Sequence, residues 1–353
     1  MKLAVNLALS LLMLGLSLWL VWPSPESRPY LEAAIRGLTL RDFGPYVAAH
    51  LAMVAIVHFC RAYRWNNLLA PIGVRLPFGK LMAVSTVGFL AILVVPARLG
   101  ELVRPALIRK KGHISASAAL GTVAVERIID GLVVSIMVFV TFFLLRGPLA
   151  PDWMMPVAYT ALGIFGTATL GLVFALRWPS WTVTTALKLS LLSVLFPSIA
   201  RRLETKLHDL IRGFEVLRDA RNMIIFLAWT LFYWFVNGVG VWVLAHGMGI
   251  DLTLTGSIAM MGLVAVGITL PNSPGMVGQF QWFTMLGVSL TLGSASIQQD
   301  APTYGLILAY AIFVHAFQML WYLATGLIAL ATRHVSFAEV WASRKLEGDE
   351  PAQ

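Results

Sequence analysis

Cysteine is nearly absent. Cys60 stands alone in 353 residues, so neither an intrachain disulfide nor a thiolate metal cluster can form. Charge is scarce as well: Asp, Glu, Lys and Arg make up 12% of the chain, against roughly 25% in soluble domains. No contiguous polar block approaches the roughly 100 residues of a typical soluble domain, so the chain reads as one domain. Metal-ligand spacing, a nucleophile elbow, a Ser/His/Asp arrangement and a nucleotide-binding loop are all missing from the sequence. No cofactor, no metal and no direct drive by ATP are therefore expected, and the chain reads as a transporter rather than an enzyme.

Apolar residues fill the space left by these absences. They make up 58% of the chain, and the mean hydropathy is +0.79, which marks an integral membrane protein. The formal charge of +9 does not point to nucleic acid, because the basic residues sit beside apolar spans and no basic and aromatic binding module accompanies them. The positive-inside rule and anionic headgroups account for them.

Leu3 to Trp22 is long enough to cross a bilayer and ends at Pro23-Ser24-Pro25, without the cleavage site of a signal peptide. A neutral outer loop, Ser24 to Gly44, follows. Tyr46 to Cys60 leads inward to Arg61-Ala62-Tyr63-Arg64-Trp65, read as a basic and aromatic anchor at the cytoplasmic face. Leu81 to Val95 offers only about 22 Å of helix where a bilayer core needs about 30 Å. Pro96 stops it, and a return along Leu99 to Ile108 brings Arg109-Lys110-Lys111 back to the cytoplasm, which describes a re-entrant hairpin.

Ser115 to Leu145 then crosses outward and Val157 to Leu176 inward. Residues 177–222 form a cytoplasmic segment that includes an amphipathic helix, either interfacial or packed on the protein; whether 181–196 lies in the interface or spans is open. Met223 to His246 crosses outward. Leu254 to Leu270 is broken at Pro271-Asn272-Ser273-Pro274-Gly275, Met276 to Leu292 runs back, and Tyr304 to Ala331 returns inside.

The expected fold is all-α and polytopic, with two broken hairpins in an inverted-topology repeat: halves at about 46–145 and 223–331, a single transmembrane domain over 1–334 and a tail at 335–353. Multi-pass insertion in the cytoplasmic membrane with both termini inside follows from the charges.

The candidate substrate site lies at the two breaks. Arg98, Glu101 and Arg104 recur every three residues and can pair along one helical face, and Glu126, Arg127 and Asp130 occupy neighbouring turns of a long helix. Three positive and three negative charges neutralise one another, as charges inside a membrane must, either as a structural ion-pair network or as a polar path for a lipid headgroup. In the second break, Ser273 can cap a helix starting at Pro274 and expose backbone donors suited to phosphate, with Asn272, Gly275 and Gln281 beside it. Pro96, Gly100, Pro271, Pro274 and Gly278 are the expected structural breaks. His50, His58 and His315 read as packed residues.

On Pro96-Ala97-Arg98-Leu99-Gly100-Glu101 with Arg104, on Glu126-Arg127 with Asp130, and on Pro271 through Gly278, the chain resembles the flippase-like transmembrane family that includes the membrane part of lysylphosphatidylglycerol synthases. The resemblance implies a helical membrane fold that moves phospholipids, aminoacylated lipids or polyprenyl-linked lipids between leaflets, as a stand-alone member without the aminoacyl-transferase domain. Gln281 departs from the glutamate common at that position in the family. The expected partner is a membrane lipid with an anionic phosphate headgroup, and no nucleic acid. A membrane-embedded enzyme acting on lipid phosphates through Glu126 or Asp130, and a secondary transporter of a soluble anion, are the alternatives.

Overall fold

The computed structural model describes residues 2–95, 100–146, 151–190, 197–269, 273–292, 300–332 and 334–342. Among these the chain is helical throughout, with α1 (Lys2–Val21), α2 (Arg28–Arg36), α3 (Leu40–Leu69), α4 (Phe78–Val94), α5 (Val103–Gly112), α6 (Ala116–Leu145) and α7 (Met154–Arg177) in its first half. The second half holds α8 (Pro179–Leu189), α9 (Pro197–Arg212), α10 (Ala220–Gly247), α11 (Leu254–Gly267), α12 (Gln279–Thr291), α13 (Ala301–Leu330) and α14 (Phe337–Ala342). The helices α3, α6, α7, α10 and α13 are long and apolar enough to cross a membrane, as an all-α polytopic protein requires.

Exposed Leu11, Leu12, Trp19, Leu170, Leu231 and Leu327 cover outer faces of these helices and of α1, the pattern of a protein whose solvent on those faces is hydrocarbon. Four of the five long helices, all but α7, are started by a side-chain cap. Thr39 caps α3 through Asp42 N, Ser115 caps α6 through Ala118 N, Asp219 caps α10 through Asn222 N, and Asp300 caps α13 through Thr303 N.

Two pairs of short helices sit between the long ones. α4 and α5 fold back on each other: a side chain at Gly88 would overlap Arg104 of α5, and one at Gly100 would overlap the Ala91 backbone of α4. α11 and α12 do the same through Gly256 against Thr291 and Gly287 against Met260. Their 14 and 13 residues make each arm roughly 20 Å long, short of a bilayer core of about 30 Å. The missing side chains let the two backbones approach closely, as in the small-residue interfaces of membrane helices.

The long helices pack around these pairs in an exchanged pattern. α3 runs antiparallel to α10, with Tyr46 against Gly247, His50 against Gly240 and Arg64 against Thr230. α6 packs on α11 through Val138 and Gly262, and α13 packs on α4 through Gly326 and Leu90. Exchanging α3 with α10, the first short pair with the second, and α6 with α13 maps the α3–α10 contact onto itself and interchanges the other two.

One expectation changes here, and two alternatives narrow. The loop expected over 24–44 contains α2, whose backbone at Tyr30 and Leu31 lies against Gly305 of α13. α8 is only 11 residues long, too short to span. The amphipathic α9 is packed on the protein, since the backbones of Gly121 on α6 and of Leu210 and Gly213 at its end leave no space for a side chain between them.

Candidate functional site

A chamber of about 420 Å³ opens between α3, α6, α10, α11 and α13, and a second lobe of about 120 Å³ adjoins it. Arg61, Glu101, Arg127, Gln318 and Tyr322, with Ile268 and Phe280, line both lobes and so form a largely polar neck where the two meet. Val54, Val57, Val134, Phe165, Val241 and Val264 make the wall of the larger lobe apolar, while Asp130 adds a carboxylate at its charged end.

Behind that charged end lies a buried ion network. Arg64 is 0% exposed and grips Asp130 with both terminal nitrogens, Nη1 to Oδ1 and Nη2 to Oδ2, each at 2.6 Å. Its Nη2 also donates to Glu126 Oε1 at 3.1 Å, and its Nη1 to Thr230 Oγ1 at 2.6 Å. Arg104 Nη1 lies 3.0 Å from Glu126 Oε2, and its guanidinium stacks over the Trp65 ring at 4.1 Å. Tyr233 completes the set by donating its hydroxyl to Asp130 Oδ1 at 3.3 Å.

The fork of Arg64 matches a carboxylate at two points, which a lysine could not do, and the aromatic faces replace part of the lost hydration. Each charge placed in the membrane costs about 2.5 to 3.5 kcal/mol, so pairing and stacking are what allow these side chains to remain inside. The network ties α3, α5, α6 and α10 together at one point.

A looser pair faces the chamber. Arg127 Nε is 3.4 Å from Glu101 Oε2, with side chains 36% and 24% exposed, in contrast to the sealed pairs behind it. It joins α6 to the turn that precedes α5, so the first short pair of helices delivers its carboxylate to the chamber by this contact.

Several expected site residues are therefore brought together, but not by the expected pairing. Glu101 and Arg104 do not pair in sequence: Glu101 lies in a one-turn 3-10 segment at 100–102, α5 begins only at Val103, and the two residues bind Arg127 and Glu126 respectively. Arg98 and Pro96 lie outside the described residues, as do Pro271 and Asn272.

In the sequence, its charged and aromatic neighbours place Arg64 in an interfacial anchor. Instead, Arg64 and Trp65 are fully buried at the centre of the network. A sequence signal existed in the three- and four-residue spacings of Arg61, Arg64 and Trp65, which set these residues on one side of α3.

The second break is also built differently. Pro274–Met276 is a short 3-10 turn, and the Ser273 hydroxyl donates to the Val277 carbonyl at 2.6 Å instead of capping a helix. α12 begins at Gln279, and its entrance is filled: Gly278 N donates to Gln281 Oε1 at 2.8 Å, while Gly278 itself presses against the Ser17 backbone of α1. Gly275 and Gly278 have φ of +62° and +81°, which suits glycine.

Gln281 is not a weakened glutamate in this setting. Its Oε1 accepts from Gly278 N, and its Nε2 donates to His315 Nδ1 at 2.9 Å, so the position uses both halves of an amide. His315 also stacks on Phe280 at 4.5 Å. His58 is satisfied as well: Trp321 Nε1 donates to its Nδ1 at 3.1 Å, which leaves Nε2–H to face Thr86 Oγ1 at 2.7 Å. Both histidines are packed residues, as their apolar surroundings in the sequence suggest.

Among the described residues no group of His, Cys, Asp or Glu is placed to hold a metal ion. The arrangement offers an apolar chamber, a charged end that can meet ions of either sign, and a sealed network that fixes that end in place. No curated protein and no solved structure matches the chain significantly. The family described as the lysylphosphatidylglycerol synthase TM region matches residues 5–326, which carry both short helix pairs and the ion network, and the chain belongs to that family.

Proposed function

We propose that this protein moves a lipid with an anionic phosphate headgroup from one leaflet of the cytoplasmic membrane to the other, without chemical change to the lipid. The observation that carries this reading is the chamber itself: apolar along most of its wall, charged at one end, and flanked by two pairs of helices each too short to span. A headgroup needs polar partners at membrane depth and acyl chains need an apolar surface, and the chamber offers both.

In this reading the two short pairs are re-entrant hairpins entering from opposite sides, and the antiparallel α3 and α10 belong to the two halves of an inverted repeat. Glu101, Arg127 and Asp130 meet the headgroup. Arg104 and Glu126, with Arg64, hold the cavity end rigid. Motion of one half against the other changes which side the chamber faces. Both termini then lie in the cytoplasm.

The test is reconstitution in liposomes carrying labelled phospholipids of several headgroups. The account expects leaflet exchange faster than in empty vesicles, and slower exchange in Glu101→Gln and Arg127→Gln than in the unaltered protein. Exchange equal to that of empty vesicles for every headgroup contradicts it, and recovery of a chemically altered lipid assigns the chamber to an enzyme instead.

A further inference from the structure

Among the described residues the cluster does not balance. Arg61, Arg64, Arg104 and Arg127 face Glu101, Glu126 and Asp130, which leaves one cation in excess. The excess can be assigned to a residue. Arg64, Arg104 and Arg127 each have a carboxylate within 3.4 Å, whereas Arg61 has no carboxylate partner among the described residues.

Arg61 makes one hydrogen bond, from Nη1 to the Tyr322 hydroxyl at 2.9 Å, and its guanidinium lies 4.6 Å from the Phe89 ring centroid. Tyr322 and Phe89 hold the group in one orientation and take no charge from it. Arg61 lines both lobes of the chamber and so stands in their common neck.

Other polar groups around the larger lobe are also uncommitted. The Asn237 and Gln318 amides make no hydrogen bond among the described residues. His50 is 2% exposed; its Nδ1 meets the Gly240 carbonyl at 2.9 Å while its Nε2 has no partner, and Trp234 Nε1 is buried in the same condition. Buried polar atoms without partners are few in folded proteins and call for a cause. Those of His50 and Trp234 lie along the wall of one chamber, whose neck holds a guanidinium with no carboxylate partner among the described residues.

We propose that Arg61 is the anion-holding residue of this chamber and that the group it takes is a phosphate, as in the phosphodiester of a phospholipid. The proposal rests on the lipid-handling reading of the chamber and deepens it. A guanidinium can donate two parallel hydrogen bonds to a phosphate, and Nε and Nη2 of Arg61 make no hydrogen bond among the described residues. A headgroup that also carries an amine finds Glu101 and Asp130 beside the same neck.

The experiment is binding of phosphatidylglycerol to the purified full-length chain in detergent, read by native mass spectrometry, beside diacylglycerol with the same acyl chains. Arg61→Gln should weaken phosphatidylglycerol binding by about tenfold or more, and leave diacylglycerol binding unchanged. Arg36→Gln, at an exposed ion pair on α2, should bind as the unaltered chain does. Equal retention of phosphatidylglycerol by Arg61→Gln, or an equal fall for diacylglycerol, overturns the proposal.

Should Arg61→Gln not fold, Tyr322→Phe frees the guanidinium from its orienting hydroxyl and should weaken phosphatidylglycerol alone, by about two- to threefold; an unchanged affinity then overturns it. Inorganic phosphate separates this inference from the reading beneath it. If it binds as tightly as the lipid, and is lost in Arg61→Gln, the anion site stands and the transport of lipid does not. If the lipid binds through Arg61 and vesicles show no exchange, the outcome is the same.

Discussion

The two short helix pairs use one packing device for two chemistries. In α4 and α5 the close approach at Gly88 makes room for Arg104, and the turn before α5 offers Glu101, so the first pair brings charge to the chamber. In α11 and α12 the equivalent space is closed by side-chain amides: Gln279 Nε2 donates to the Gly267 carbonyl at 3.0 Å, and Gln281 joins Gly278 to His315. The second pair contributes apolar wall, through Met261, Val264 and Ala265. The difference teaches that the likeness in packing of the two pairs does not extend to the site. One pair positions charge, and the other gives it an apolar surface to work against.

The largest expected effect breaks the charged half. Glu126→Ala leaves Arg64 with Asp130 alone and Arg104 with no carboxylate among the described residues, so it should destabilise the protein by about 3 to 5 kcal/mol. Denaturant unfolding of the purified protein measures it, and a loss under about 1 kcal/mol would show that the network is not sealed as described.

A matched pair sharpens the comparison. Gly100→Ala and Gly287→Ala each force a methyl group onto opposing backbone, at Ala91 and at Met260, and each should cost about 1 to 3 kcal/mol. Only the first should also slow lipid exchange beyond what its loss of stability explains, because it displaces the turn that carries Glu101. Equal exchange defects in both would remove the distinction between the halves.

The smallest effect tests the amide-closed half. Gln281→Glu keeps an acceptor for Gly278 N and loses the donor to His315 Nδ1, so about 1 kcal/mol should be lost at neutral pH. A more stable variant would show that the position is built for a charge.

Much of this was legible in the sequence, for a physical reason. Apolar run lengths and the prolines near residues 96 and 271 mark spans and breaks because a bilayer tolerates few alternatives. Glu126, Arg127 and Asp130 stand out because charges are rare in such helices. Arg64 was hidden by its setting: a helix end rich in Arg and aromatic residues reads as an interfacial anchor, and α3 continues to Leu69 beyond the apolar stretch that suggests its end. A three-to-three balance with Arg98 also left no carboxylate asking for a further partner. The pairing of Glu101 with Arg127 depends on where the chain turns between α4 and α5, and spacing along one helix cannot report that. Ser273-Pro274 has the composition of a helix start, yet a single 3-10 turn satisfies the same residues.

The central claim is that a lipid passes through the chamber, and filling the chamber tests it most directly. Ala265 lines the larger lobe, half-buried on α11 and part of none of the ion pairs, so Ala265→Trp should occupy the space and leave the buried network intact. The measurement is the rate of labelled-lipid exchange in vesicles, taken beside the unfolding midpoint. The account predicts exchange reduced to that of empty vesicles with the midpoint little changed; exchange at the full rate through a filled chamber would contradict it.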